Sequence, residues 1–217
     1  MISAVDRKLL ICGTRSLAEE VADLVSEIPG FELAGFVENW QRDRCNSPLL
    51  GLPVIWYEEL PRYVNSHCAV VALATTRRSL FCDQVAAAGL PFATLVHPSA
   101  RVSPSARLGE GCIISAGVII AAHTTLGRHV FVNRGALIGH HTSIGDYVSI
   151  MPGANIAGNT RIGEHTYVGM SAIVLDNICI GESCVVAAGA LVTKDAPPHV
   201  QLMGLPAVVV KQNIEGR

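Results

Sequence analysis

Five of the eight histidines in this 217-residue chain fall close together, at His123, His129, His140, His141 and His165. Imidazole exchanges a proton nearer neutral pH than any other unperturbed side chain, and it is the commonest metal ligand. Acid–base work and metal binding are therefore the two chemistries on offer. His123 and His141 lie eighteen residues apart, and His140 precedes His141 directly. Whether such spacings bring rings together depends on the period of the backbone that carries them.

That period is six. Val96, Val102, Leu108, Ile114, Ile120, Leu126, Val132, Ile138, Ile144, Ile150, Ile156, Ile162, Val168, Val174, Ile180, Val186 and Val192 form an unbroken aliphatic ladder. A six-residue period fits neither a helix nor a plain strand; it fits a solenoid of short strands joined by tight corners. Glycine follows the ladder residue at Gly109, Gly127, Gly145, Gly163 and Gly181, so three hexads make one coil. These glycines are expected at corners that need positive φ. Ala106, Cys112, Thr124, Ala136, Thr142, Ala154 and their equivalents, two before each ladder residue, supply a tighter inward row. The result is a three-sided parallel β-helix of roughly five coils, each rising about 4.8 Å.

The period turns spacing into position. His123 and His141 should stack on one edge roughly 5 Å apart, while His129 and His165 are expected on other edges as solvated corner residues. Residue 158 stands one coil above residue 140 and is Gly158, which leaves a backbone N–H exposed over the imidazole.

Before residue 96 the pattern changes. Lys8–Cys12, Phe31–Val37, Cys68–Ala74 and Phe92–Val96 read as strands, and Ser16–Ile28 and Ser79–Ala88 as helices. Trp40–Pro48 reads as a polar loop. Such alternation predicts a small parallel, Rossmann-like sheet. Ligands of these sheets sit at the carboxyl ends of the strands. Gly13, Thr14 and Arg15 occupy that place after the first strand, and Glu38 closes the second; an ordinary turn with Ser16 as the N-cap is the plainer reading. The expected division is 1–95 for the α/β part, 96–195 for the β-helix and 196–217 for a proline-bearing exit segment.

Half of the residues are hydrophobic and the formal net charge is −2, which gives no basic footprint for nucleic acid. No apolar run reaches membrane length, and MISAVDRKLLICG is too short an apolar start for a signal peptide. Seven scattered cysteines without a C-x-x-C pair read as reduced thiols of a cytoplasmic protein.

The junction Leu95-Val96-His97-Pro98-Ser99-Ala100, the stretch Asn133–Asp146 and the ending AAGALVTKDAPP with Gly204-Leu205-Pro206-Ala207 resemble one family over nearly the whole chain. It is the bacterial hexapeptide-repeat sugar acyltransferases, among them sialic acid O-acetyltransferases and nucleotide-aminosugar N-acetyltransferases. The resemblance implies a left-handed β-helix, acetyl-CoA as acyl donor, a sugar or nucleotide-sugar acceptor and a homotrimer. It implies His140 as the general base with Asn133 assisting, and Gly158, Ala188 and Gly189 along the pantetheine arm. The loop at Gly13, Thr14 and Arg15, with Glu38, would receive the acceptor's nucleotide. Outward apolar residues Ile119, Val130, Phe131, Leu137 and Ile173 agree with a subunit interface.

The sequence departs from the family's pattern beside the base, where Gly139 and His141 replace an acidic neighbour. Ser149 stands where a second histidine usually meets the acceptor and is expected to contact the substrate in its place, and the Gly13 loop lacks a second glycine. Two rivals stay open. One is a non-catalytic trimeric scaffold. The other is a gamma-carbonic-anhydrase-like zinc enzyme, which needs three ligands and an open position. Its third histidine would come five residues after the second, where Gly145 or Asp146 stands, so no metal is expected.

Overall fold

The computed structural model describes residues 7–217; residues 1–6, part of the segment read as too short for a leader, lie outside it. The α/β part holds β1 (Arg7–Cys12), α1 (Ser16–Ser26), β2 (Phe31–Glu38), β3 (Val54–Trp56), β4 (His67–Val71) and α2 (Ser79–Ala87). The four strands are parallel in the order β3-β2-β1-β4. Central β1 carries an uninterrupted apolar run, Leu9–Cys12, because both faces are covered. Leu9 and Ile11 pack with Val21 and Val25 of α1, while Leu10 and Cys12 pack with Phe81 and Val85 of α2.

Four local expectations change. Ser16 is the first helical residue; Arg15 is the N-cap and makes no side-chain cap bond. The 40–48 loop contains a 3-10 turn at Arg42–Asn46. β3 escaped notice because only three residues long, behind Pro53, give no periodicity to read. The expected strand Phe92–Val96 divides. Phe92 bridges Ala69 of β4, whereas Leu95–Val96 pairs with Ile113–Ile114 as the first rung of the coils.

From there, seventeen two-residue strands, β5 (Leu95–Val96) to β21 (Leu191–Val192), each end on a ladder residue. Strands eighteen residues apart pair in parallel, as Leu137–Ile138 does with Ile119–Ile120 and Asn155–Ile156. From Ile114 onward every ladder side chain is buried in one continuous core. Each is worth about 1.5–3 kcal/mol on burial, so three per coil hold the stack together.

The glycines of the eighteen-residue series serve differently from expectation. Positive φ occurs three residues after the ladder residue, at Gly135 (67°) and also at His123, His141 and Asn159 (59°, 54° and 56°). Gly109, Gly127, Gly145, Gly163 and Gly181 are instead required by the coil above. A Cβ on Gly163 would lie 2.4 Å from the Glu182 nitrogen, closer than real atoms approach. Close coil contact, not backbone conformation, selects them.

The three walls differ in cover. The first presents Ile113, Phe131, Ser149 and Tyr167 to the α1 side of the sheet, where all four are buried. Phe131 is outward but claimed by the domain junction, and Val130 points inward at 0 % exposure; neither is left open for a subunit interface. The second wall leaves Ile119, Leu137 and Ile173 about 40 % exposed (43, 39 and 40 %). The third carries Arg107, Thr125, Ser143, Arg161 and Cys179.

Arg78 fastens the α/β part to the first wall. Its buried guanidinium donates to the carbonyls of His129 (2.6 and 3.0 Å), Val148 (2.8 Å) and Thr75 (2.9 Å) and to Ser149 Oγ (2.7 Å). A hairpin, β22 (Gln201–Gly204) with β23 (Ala207–Lys211), extends that wall past the last coil. The tail then returns, and Arg217 bonds to Thr75 and Thr76 while its guanidinium covers the Tyr167 ring at 4.5 Å.

Candidate active site

His140 and Gly158 share a corner column of the coils, between the second and third walls. His140 is exposed, and its ring lies beside Gly158. A Cβ built on Gly158 would fall 2.8 Å from both Cε1 and Nε2 of His140. The bare position is thus filled by the imidazole itself and is not an open channel. The Gly158 N–H donates to no acceptor among the described residues, while its neighbour Asn159 N–H bonds to the His140 carbonyl at 2.8 Å. His140 Nδ1 lies 3.1 Å from His141 Nδ1, and the His141 ring rests on His123 at 4.8 Å between centroids. The expected His123–His141 stack is present. Among the described residues no group of three or more His, Cys, Asp or Glu is arranged to hold a metal ion.

The other two corner histidines lie, as expected, on an edge other than that of His123 and His141, but His129 is not solvated. His129 and His165 are two whole coils apart on one edge, with Tyr147 stacked between them at 5.3 and 4.9 Å. His129 is 4 % exposed and its Nδ1 has no partner. Burial, then the nearby Arg78 and Arg128 charges, push its pKa down to about 4. It is a neutral structural ring.

Asn133 occupies the neighbouring corner column, between the first and second walls, together with Ala188 and Gly189 three coils higher. It is buried, and its Oδ1 accepts from the Arg134 N–H at 2.7 Å. Arg134 in turn pairs with Glu20 of α1. A Cβ on Gly189 would meet nothing within 4 Å, so that end of the column is open. Within one chain the His140 and Asn133 columns are therefore separated by the apolar second wall.

At the carboxyl ends of β1 and β2, Gly13, Thr14, Arg15, Glu38, Asn39, Trp40, Leu73 and Phe81 line a cleft of about 220 Å³. Gly13 has φ 130°, and a Cβ there would come 3.0 Å from the Ala72 carbonyl oxygen. Glu38 is committed to its own loop. Its carboxylate accepts from the N–H groups of Asn39, Trp40 and Gln41 (3.0, 2.7 and 3.1 Å) and from Thr14 Oγ. Burial pushes its pKa up, but the Thr14 hydroxyl and these three N–H groups outweigh that and hold it below the ordinary carboxylate value. Glu38 and Thr14 therefore shape the cleft, and Arg15 and Trp40 are its exposed groups.

Ser149 requires a correction. It is fully buried, accepts from Arg78 and donates to the Ala74 carbonyl at 2.9 Å. With no surface to offer, it cannot meet an acceptor. Arg78 itself was missed by sequence reasoning, since a second arginine in a polar TTRRS stretch gives no sign of burial.

Two family models match, bacterial transferase hexapeptide (six repeats) over residues 159–194 and hexapeptide repeat of succinyl-transferase over residues 100–122. No curated protein matches the chain. Among solved structures, PerB from Caulobacter crescentus in complex with CoA and GDP-perosamine superposes with a TM-score of 0.86 at 30% identity, over 94% of this chain and 97% of that one. The chain belongs to the hexapeptide-repeat sugar acyltransferases. This acyltransferase is also similar to the acetyltransferase domain of PglB from Neisseria gonorrhoeae in complex with acetyl coenzyme A. That match has a TM-score of 0.87 at 30% identity and covers 94% and 100% of the two chains. WeeI from Acinetobacter baumannii, at 23% identity and TM-score 0.86, shares the fold. The left-handed winding of the acyltransferase's coils follows from these superpositions.

Proposed function

We propose that this acyltransferase moves an acetyl group from acetyl-CoA to the amino group of a nucleotide-linked sugar, with His140 as general base. The observation that carries the reading is the His140 imidazole seated against Gly158, at an exposed corner whose next coil offers a free N–H. An attacking amine must shed a proton, and His140 Nε2 is placed to take it. The Gly158 N–H is the donor for the carbonyl oxygen that becomes negative during attack. The bound GDP-perosamine and acetyl coenzyme A of the similar structures support the two substrate classes.

The acceptor's nucleotide goes to the cleft at Gly13 and Arg15, and the donor's arm runs up the column of Ala188 and Gly189. The separation of the His140 and Asn133 columns within one chain supports a homotrimer, in which apposed second walls bring His140 of one copy to the Asn133 column of the next. No helix among the described residues is long and apolar enough to cross a membrane. A cytoplasmic location, where acetyl-CoA is supplied, completes the reading.

The test is direct. The purified protein is incubated with acetyl-CoA and a panel of nucleotide aminosugars, while free CoA thiol and acetylated product are measured. Turnover that falls at least about 10²-fold in His140→Ala, with acetyl-CoA still bound, is the expected result. Absence of transfer to every nucleotide aminosugar would overturn the proposal.

A further inference from the structure

We infer that His141 is a positioning residue that fixes which nitrogen of His140 can act as base. The inference rests on the reading of His140 given above. The Nδ1 atoms of the two rings are 3.1 Å apart, and two like ring nitrogens bond only when one carries the proton and the other a lone pair. The pair therefore couples the two tautomers. With the proton on His140 Nδ1, the lone pair is at His140 Nε2, which lies at the ring edge beneath Gly158. With the proton on His141 Nδ1 instead, His140 Nε2 holds a hydrogen and cannot accept one.

The base role of His140 requires the first arrangement, and nothing in the surroundings opposes it. His140 has Ala122 and Gly158 as column neighbours below and above, so no polar side chain reaches it from either. Among the described residues His141 alone hydrogen-bonds the His140 ring. His141 is itself held. Its N–H bonds to the Ala122 carbonyl at 2.9 Å, and its ring rests on His123. Its Nε2 has no acceptor among the described residues, so an Nε2–H group there would meet solvent and leave Nδ1 as acceptor. When His140 takes the amine's proton, both its nitrogens carry hydrogen, and the Nδ1–H bond to His141 persists through the step.

Three variants and one spectrum test this. His141→Ala removes the acceptor; His141→Asn keeps an acceptor oxygen where Nδ1 stood and tolerates positive φ; His141→Asp supplies a carboxylate. The expected outcome is a kcat about tenfold lower or more in His141→Ala, with KM for both substrates within about twofold, and substantial recovery in the Asn and Asp variants. Nitrogen-15 NMR of the unaltered protein should show the His140 proton on Nδ1. A His140 proton on Nε2 there, or an undiminished kcat in His141→Ala, overturns the inference. An unaltered protein that transfers nothing would instead overturn the base role of His140, which the spectrum does not presuppose.

Discussion

Gly158 and His140 are in contact across one coil, and the glycine is what makes room for the ring. Its φ is not in the left-handed region, so alanine would fit the backbone there. The methyl group would nonetheless sit 2.8 Å from Cε1 and Nε2. Gly158→Ala should therefore keep the melting temperature within a few degrees and lower transfer about 10²-fold, as misplacement of a reacting group by about 1 Å does. Steady-state kinetics beside a thermal melt check this. Full activity would mean the ring works from some other orientation.

His129 gives the fold a built-in acid sensitivity. Its pKa is about 4 when folded and near 6.5 when exposed. Between those values the unfolded chain binds a proton there that the folded chain does not, so stability is complete above about pH 6.5 and declines towards pH 4. His129→Asn, which tolerates the local φ of 55°, should flatten that decline by up to about 1.4 kcal/mol per pH unit. Urea midpoints at a series of pH values supply the measurement, and parallel curves would show that the ring contributes nothing.

Arg78 should be costly to replace. Methionine preserves the stem but leaves the His129 carbonyl and the Ser149 hydroxyl without a donor, while the Val148 carbonyl keeps only the Phe131 N–H. A loss of about 3–5 kcal/mol is expected, as for removing one member of a buried charged network. Lysine, with a single ammonium in place of the planar fork, should recover only part of it. Chemical denaturation decides, and a loss below about 1 kcal/mol would mean that water replaces the guanidinium.

The second wall predicts assembly. Leu137→Asp places a charge on an apolar strip that is already 39 % exposed in one chain, so the fold should persist. Sedimentation should show trimers becoming monomers, with transfer lost although His140 is untouched. An intact trimer would move the interface elsewhere.

The inward side of the coils was plain in the sequence because a narrow prism accepts only aliphatic side chains at a fixed period. Column arithmetic then placed Gly158 on His140 without coordinates. What escaped depends on partners far away along the chain. Ser149 looks like any outward hexapeptide serine until Arg78, 71 residues earlier, is seen bonded to it. Phe131 is outward yet buried, because α1 lies over that wall. Glu38 had the right place for a contact to the acceptor's nucleotide, but three N–H groups of the following loop already claim its carboxylate. Polar chemistry between distant segments leaves no periodic trace.

A stack of near-identical rungs has no intrinsic zero point, since sliding it by one coil exchanges aliphatics for aliphatics. The turn around residues 75–78 supplies one. Arg78 grips the rung of His129 and Ser149 from one end of the sequence, and the returning tail brings Arg217 to Thr75 and Thr76 from the other. It follows that the α/β part indexes the spiral as well as standing beside it, so that the histidine pair always arrives at the same height above the cleft.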